Sequence, residues 1–159
     1  MIDDRAGLPD RRVRYLRPGQ ERALATAMAF VRQTLDDWYP VRGDGPEVRR
    51  AREDTLLVAD ELLANACAHT SGPTRLELDR AGRRLCIAVT DGDLRPPVLR
   101  HPYRPEAPTG HGLHIVDQLA LRWGHTPAVG GKTVWAELVP PLPPVNGVPV
   151  GPRRRRRLR

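Results

Sequence analysis

The chain predicts an α/β protein, an α+β two-layer sandwich whose mixed, mostly antiparallel sheet carries helices on one face. Three observations lead there. Segment 20–38 spaces Leu24, Ala27, Met28, Val31, Leu35 and Trp38 at helical intervals, the mark of an amphipathic helix. From Asp54 until Ser71-Gly72-Pro73 the chain is rich in Leu, Ala and Glu, with neither Gly nor Pro, so it reads as a second helix. Beyond it, 74–79 and 84–90 alternate, with Leu76 and Leu78 on one segment and Leu85, Ile87 and Val89 on the next. Strands with one buried face pair antiparallel and need helices to cover that face.

In chain order, residues 1–12 are polar and read as a flexible start, and 13–16 as a short strand. Two glycines and two prolines break the chain over 40–46 between the two helices. The hairpin turns at Arg80-Ala81-Gly82-Arg83, and its second strand ends at Asp91-Gly92-Asp93. A stretch to Thr109 follows with five prolines (Pro96, Pro97, Pro102, Pro105, Pro108). A loop this long inside a compact domain is either a functional lid or a disordered excursion. Gly110-His111-Gly112 then opens a third helix extending to about Ala120. Glycines there let backbone N–H groups approach phosphate at the positive helix end, although an ordinary tight turn has the same signature. Segments 121–125 and 133–139 complete the sheet around a Gly130-Gly131 turn.

A chain of 159 residues suits one core, here 13–139. With no apolar run near the length of a membrane span, and Met1-Ile2-Asp3-Asp4 unlike a signal peptide, the expectation is a soluble, cytoplasmic protein without a membrane partner. Cys67 and Cys86 have no ligand spacing and read as reduced core thiols. The net charge of +7 resides in the tail: six arginines lie in the last seven residues, and without them the body is at +1. Segment 140–152 holds six prolines and two glycines, so 140–159 reads as an extended linker with a basic tail. Weak, sequence-indifferent attraction to nucleic acid is the most such a tail implies, and plain solvation is the simpler reading.

The second helix carries the chemistry. Asp54, Glu61, Asn65 and His69 fall within roughly 80° of one another around the axis. Leu56, Leu57, Ala59, Leu62, Leu63, Ala66 and Cys67 occupy most of the rest. One narrow polar stripe on a largely apolar helix either meets water or faces something specific. Asn and His are poor choices for a merely solvated helix face. A carboxylate and an amide one turn apart offer oxygens to a hard cation such as Mg²⁺, and the carboxylate can instead take a proton.

Four segments now stand in order: Glu61-Leu-Leu-Ala-Asn65-Ala-Cys-Ala-His69, Asp91-Gly-Asp-Leu-Arg-Pro-Pro97, Gly110-His-Gly112-Leu-His-Ile-Val116 and Gly131-Lys-Thr133-Val-Trp-Ala-Glu137. Together they resemble the GHKL ATPase superfamily, with its Bergerat ATP-binding fold, in the branch of anti-sigma-factor serine/threonine kinases. The resemblance covers about 13–138. It implies ATP and Mg²⁺, with Glu61 as general base and Asn65 as the metal ligand. Asp91 would accept from the adenine amino group, Thr133 would support that end through water, and the backbone of Gly110 and Gly112 would hold phosphates. Leu113 and His69 complete the implied nucleotide site, His69 with the alternative of packing or capping its helix end. The implied activity is phosphorylation of a small antagonist protein by a kinase that also binds a sigma factor. The alternative is a nucleotide-binding regulatory module without turnover, and pairing with a second copy stays open. One departure stands out: the family writes Asp-x-Gly where this chain has Asp91-Gly92-Asp93, which sets a second carboxylate beside the first.

Overall fold

A computed structural model describes residues 9–40, 45–99 and 112–143, and of His69 the backbone alone. The lid segment from 100 onward, Gly110 and the arginine tail lie outside the described residues. Eight elements follow in order: β1 (Asp10–Tyr15), α1 (Ala23–Trp38), α2 (Pro46–His69), β2 (Arg75–Ala81), β3 (Arg84–Asp91), α3 (Gly112–Leu119), β4 (Arg122–Ala128) and β5 (Gly131–Leu138). They make an α+β two-layer fold with one five-stranded sheet in the order β1-β2-β3-β5-β4. The sheet expected to be mostly antiparallel is so at every described pairing.

Strand alternation gives the sheet two unlike faces. Leu76, Leu78, Leu85, Ile87, Val89, Val134, Ala136 and Leu138 point to one side and are buried with Val31, Leu35, Val58, Leu62 and Leu63 of the helices. Each fully buried aliphatic side chain of this layer contributes roughly 1.5–3 kcal/mol. The opposite face holds charged residues in ion pairs: Glu77 with Arg11 and Arg75, and Glu137 with Arg84 and Arg122. α2 lies centrally on the buried face, touching β3, β5 and both other helices.

α2 begins eight residues before Asp54. Gly45 is its N-cap, Pro46 opens the first turn and Glu47 lies within it, all of which suit a helix start. Arg49, Arg50 and Glu53 in this first half face outward, and Arg52 pairs with Asp36 of α1. At the other end the Thr70 hydroxyl donates to Ala66 O at 2.7 Å and accepts from Gly72 N–H at 3.0 Å. Gly72, with φ of 122°, then turns the chain toward β2.

The apolar circumference of α2 is wider than the face that meets the core, which corrects two expectations. Leu57 is 43 % exposed, and Cys67 is exposed rather than a core thiol; Cys86 is half-buried on the open side of β3. Thr55 is instead fully buried, because its hydroxyl returns a hydrogen bond to Ala51 O at 2.7 Å. The chain after β5 also differs from a free linker: Pro140 and Pro141 are buried, Leu142 packs on the core, and Arg83 Nη1 donates to Pro143 O at 3.3 Å.

Arg80 of β2 secures the far end of the sheet. Its guanidinium lies 5.0 Å from the Trp38 ring and 5.9 Å from the Tyr39 ring, and Nη1 donates to Trp38 O at 3.0 Å. A cation thus closes the C-terminus of α1. Burial pushes the Tyr39 hydroxyl up to about 12. Trp38 Nε1 in turn donates to Asp10 Oδ2 of β1 at 2.7 Å.

Two substitutions on α2 separate its faces. Leu63→Ala, at a fully buried position, is expected to cost about 2–5 kcal/mol in a denaturant melt. Leu57→Ala is expected to stay within about 0.5 kcal/mol.

Candidate functional site

The polar stripe of α2 lies where α2 meets α3. A Cβ built on Gly112 would stand 2.6 Å from Glu61 Oε2, so any larger residue at the start of α3 would require the Glu61 carboxylate to swing away. Glu61 therefore sits half-buried at the positive end of a helix. Asn65 follows one turn along on the same side of α2, also half-buried. The backbone of His69 closes the helix. Leu113 is buried beneath the first turn of α3, a packing position for its side chain. Gly110 lies outside the described residues.

The second half of the site is built by the pairing of β3 with β5. Asp91, the last residue of β3, stands opposite Lys132 in register, and both side chains point to the helix-facing side, as Val89 and Val134 do. Asp91 is 3 % exposed and Lys132 4 %. Lys132 Nζ donates to Asp91 Oδ1 at 2.9 Å, and the Asp93 N–H donates to the same oxygen at 2.8 Å. Both hydrogen bonds of the Asp91 side chain among the described residues thus end on Oδ1. Oδ2 takes none of them.

Gly131 makes this contact possible. A Cβ there would fall 1.8 Å from Asp91 O and 2.9 Å from Gly92 Cα, an overlap that no side chain survives without moving backbone. The strand begins hard against the turn after β3, and Lys132 is delivered beside Asp91 as a result.

Asp93, the departure from the family pattern, is neutralised. Arg95 Nε donates to Asp93 Oδ1 at 3.0 Å and Arg95 Nη2 to Oδ2 at 3.1 Å, while Lys132 Nζ donates to Asp93 O at 3.2 Å and lies 3.8 Å from Oδ2. The Arg95 side chain first, then the Arg95 N–H, and finally the Lys132 charge hold the Asp93 carboxyl down at about 2. The second carboxylate therefore brings its own cations.

Thr133 does not join Asp91. It stands opposite Thr90 on the other face of the sheet, and the two hydroxyls lie 2.8 Å apart. The strand period of two decides this: adjacent residues face opposite ways, so with Lys132 beside Asp91, Thr133 cannot be. Of the residues expected from the sequence, Glu61 and Gly112 touch, Asn65 continues their side of α2, and Asp91 lies on the same side of the sheet as α2. The sequence reading missed Lys132 and Arg95. A signal for Lys132 was available: it is the chain's one lysine, against 25 arginines.

A comparison with protein-family profiles finds no match, and a comparison with curated proteins finds none either.

Two outcomes test this geometry. Gly131→Ala is expected to destabilise the fold by about 1–3 kcal/mol in chemical denaturation. Gly92→Ala, whose Cβ would meet nothing nearer than Gly130 O at 4.0 Å, should cost well under half as much. Because folding lowers the Asp93 value from 3.8 to about 2, its contact contributes fully above pH 3.8 and is lost as pH falls through about 2. A carboxyl-detected NMR titration should show this, and Arg95→Ala should move the Asp93 midpoint upward.

Proposed function

We propose that the chain is an ATP-binding protein serine/threonine kinase of the anti-sigma-factor type, regulating transcription by binding a sigma factor and phosphorylating a small antagonist protein. The observation that carries the reading is the meeting of Glu61 with Gly112: a carboxylate set at the N-terminal end of a helix, where a phosphate and a base can serve one reaction. Support comes also from the four motifs in their order, from the α+β two-layer fold, and from the buried Asp91 at a strand end on the helix-facing side.

The residues fit the groups this activity needs. Asp91 Oδ2, which takes no hydrogen bond among the described residues, suits the amino group of adenine. The glycine at the start of α3 leaves backbone N–H groups uncovered by a Cβ for a phosphate, and the Asn65 amide oxygen suits Mg²⁺. When bound, Mg²⁺ supplies charge neutralisation to the phosphates. Glu61 accepts the hydroxyl proton of the protein substrate as that oxygen attacks the γ-phosphorus and ADP departs. Phosphoryl transfer asks the protein mainly for this positioning and this one base.

Calorimetric titration with ATP, with and without Mg²⁺, is the first test. Binding should depend on Mg²⁺ and be lost in Asp91→Ala and Gly112→Val; unaltered binding in both would refute the site. Glu61→Gln should keep ATP while transfer to a serine-bearing antagonist protein falls by about 10²–10⁴. Asn65→Ala should remove the Mg²⁺ dependence. ATP binding without any transfer by the parent chain would leave the regulatory module without turnover as the better reading.

A further inference from the structure

Lys132 has no part in the chemistry proposed above, and its setting asks for one. A chain with 25 arginines uses lysine once, at a position 4 % exposed, with the ammonium against a carboxylate 3 % exposed. Arginine makes the ion pairs of Glu77 and Glu137 and the nearest one of Asp93. The difference is physical. A guanidinium is a planar fork that needs room on two sides, whereas an ammonium is compact and directs three donors from one point. Lys132 uses that form: Nζ reaches Asp91 Oδ1 at 2.9 Å, Asp93 O at 3.2 Å and Asp93 Oδ2 at 3.8 Å.

With two donors in hydrogen bonds and its charge set against two carboxylates, Lys132 acts on Asp91 before any base. Its effect is on Asp91. The ammonium and the Asp93 N–H both hold Oδ1, which fixes the carboxylate plane. It also ties the turn at 91–93 to the start of β5, where Gly131 admits the close approach. We infer that Lys132 is the positioning residue for recognition of the nucleobase amino group: by holding Asp91 through Oδ1 it keeps Oδ2 aimed and unoccupied as the acceptor. This inference rests on the nucleotide-binding reading and deepens it, since it assigns the discrimination between a 6-aminopurine and a purine without that group to the Asp91–Lys132 pair.

The test compares ATP with purine riboside triphosphate, which lacks the 6-amino group, by calorimetry in the presence of Mg²⁺. The parent chain should prefer ATP by about tenfold or more, the size of one hydrogen bond to a charged acceptor. Lys132→Met should lower that preference to under about threefold while affinity for purine riboside triphosphate stays within about twofold, because the phosphate end is untouched. A purely structural lysine would weaken both nucleotides alike. A variant that retains the parent's preference overturns the inference and leaves ATP binding standing, whereas a parent that binds neither nucleotide overturns both readings. Should Lys132→Met fail to fold, the parent answers by itself. A single lysine gives one side-chain ammonium signal in a ¹H–¹⁵N spectrum of the folded chain. That signal should shift on adding ATP and move much less with purine riboside triphosphate. Equal shifts with both, or none with either, would overturn the assignment.

Discussion

The pairing of β3 with β5 is the constraint on which the rest depends. These strands are neighbours in the sheet but are separated in the chain by α3, β4 and the segments around them. Closing so long a loop costs entropy, so the register needs a strong preference for one alignment. Side-chain alternation supplies it: Leu85, Ile87 and Val89 face Leu138, Ala136 and Val134 across the pair, all in the layer beneath the helices. A slip of β5 by one residue would turn Val134, Ala136 and Leu138 outward and bring Thr133 toward the core. The same register sets Asp91 against Lys132 at the last rung. An apolar constraint along the strand therefore determines a polar contact at its end.

That contact is an exception within its own layer. A buried ion pair gains little net stability against an apolar pair of the same shape, and breaking it by removing one partner is costly. The described residues show two ways of handling such carboxylates. On the open face Glu137 lies between two arginines that reach water, and Glu77 between two more. Under the helices Asp91 has a single compact cation and a backbone N–H. The first arrangement tolerates variation at each arginine, whereas the second has no spare partner for Oδ1.

Much of this fold was legible in the sequence because its signals are periodic. The hairpin of β2 and β3 and the stripe of α1 follow from spacing alone. Boundaries were less so, and for physical reasons. The first half of α2 carries arginines that face outward or pair with α1, so its apolar period starts only near Asp54. β1 carries Arg11, Arg12 and Arg14, which conceal the alternation expected of a strand. The site divided along the same line. Glu61 and Gly112 lie in recognisable motifs, and Asp91 at a recognisable strand end. Which of two adjacent residues faces Asp91 depends on register across a long connection, and no local pattern told Lys132 from Thr133. The cluster of Arg80, Trp38 and Tyr39 was hidden for a similar reason: a charged residue on an inward strand position reads as a flaw until its aromatic partners from α1 are seen.

The ends of the sheet have a consequence of their own. Among the described residues β1 and β4 each have one row of backbone groups with no strand beside it, in the order β1-β2-β3-β5-β4, and such rows invite another chain to continue the ladder. On β1 three arginines stand within six residues, so an approaching strand meets long charged side chains, two of them already held by Glu77 and Asp37. On β4 Pro127 removes one N–H from the strand, interrupting any template it could offer. Both borders thus resist indiscriminate extension, and a neighbour that docks on this protein has to recognise side chains instead of adding a strand.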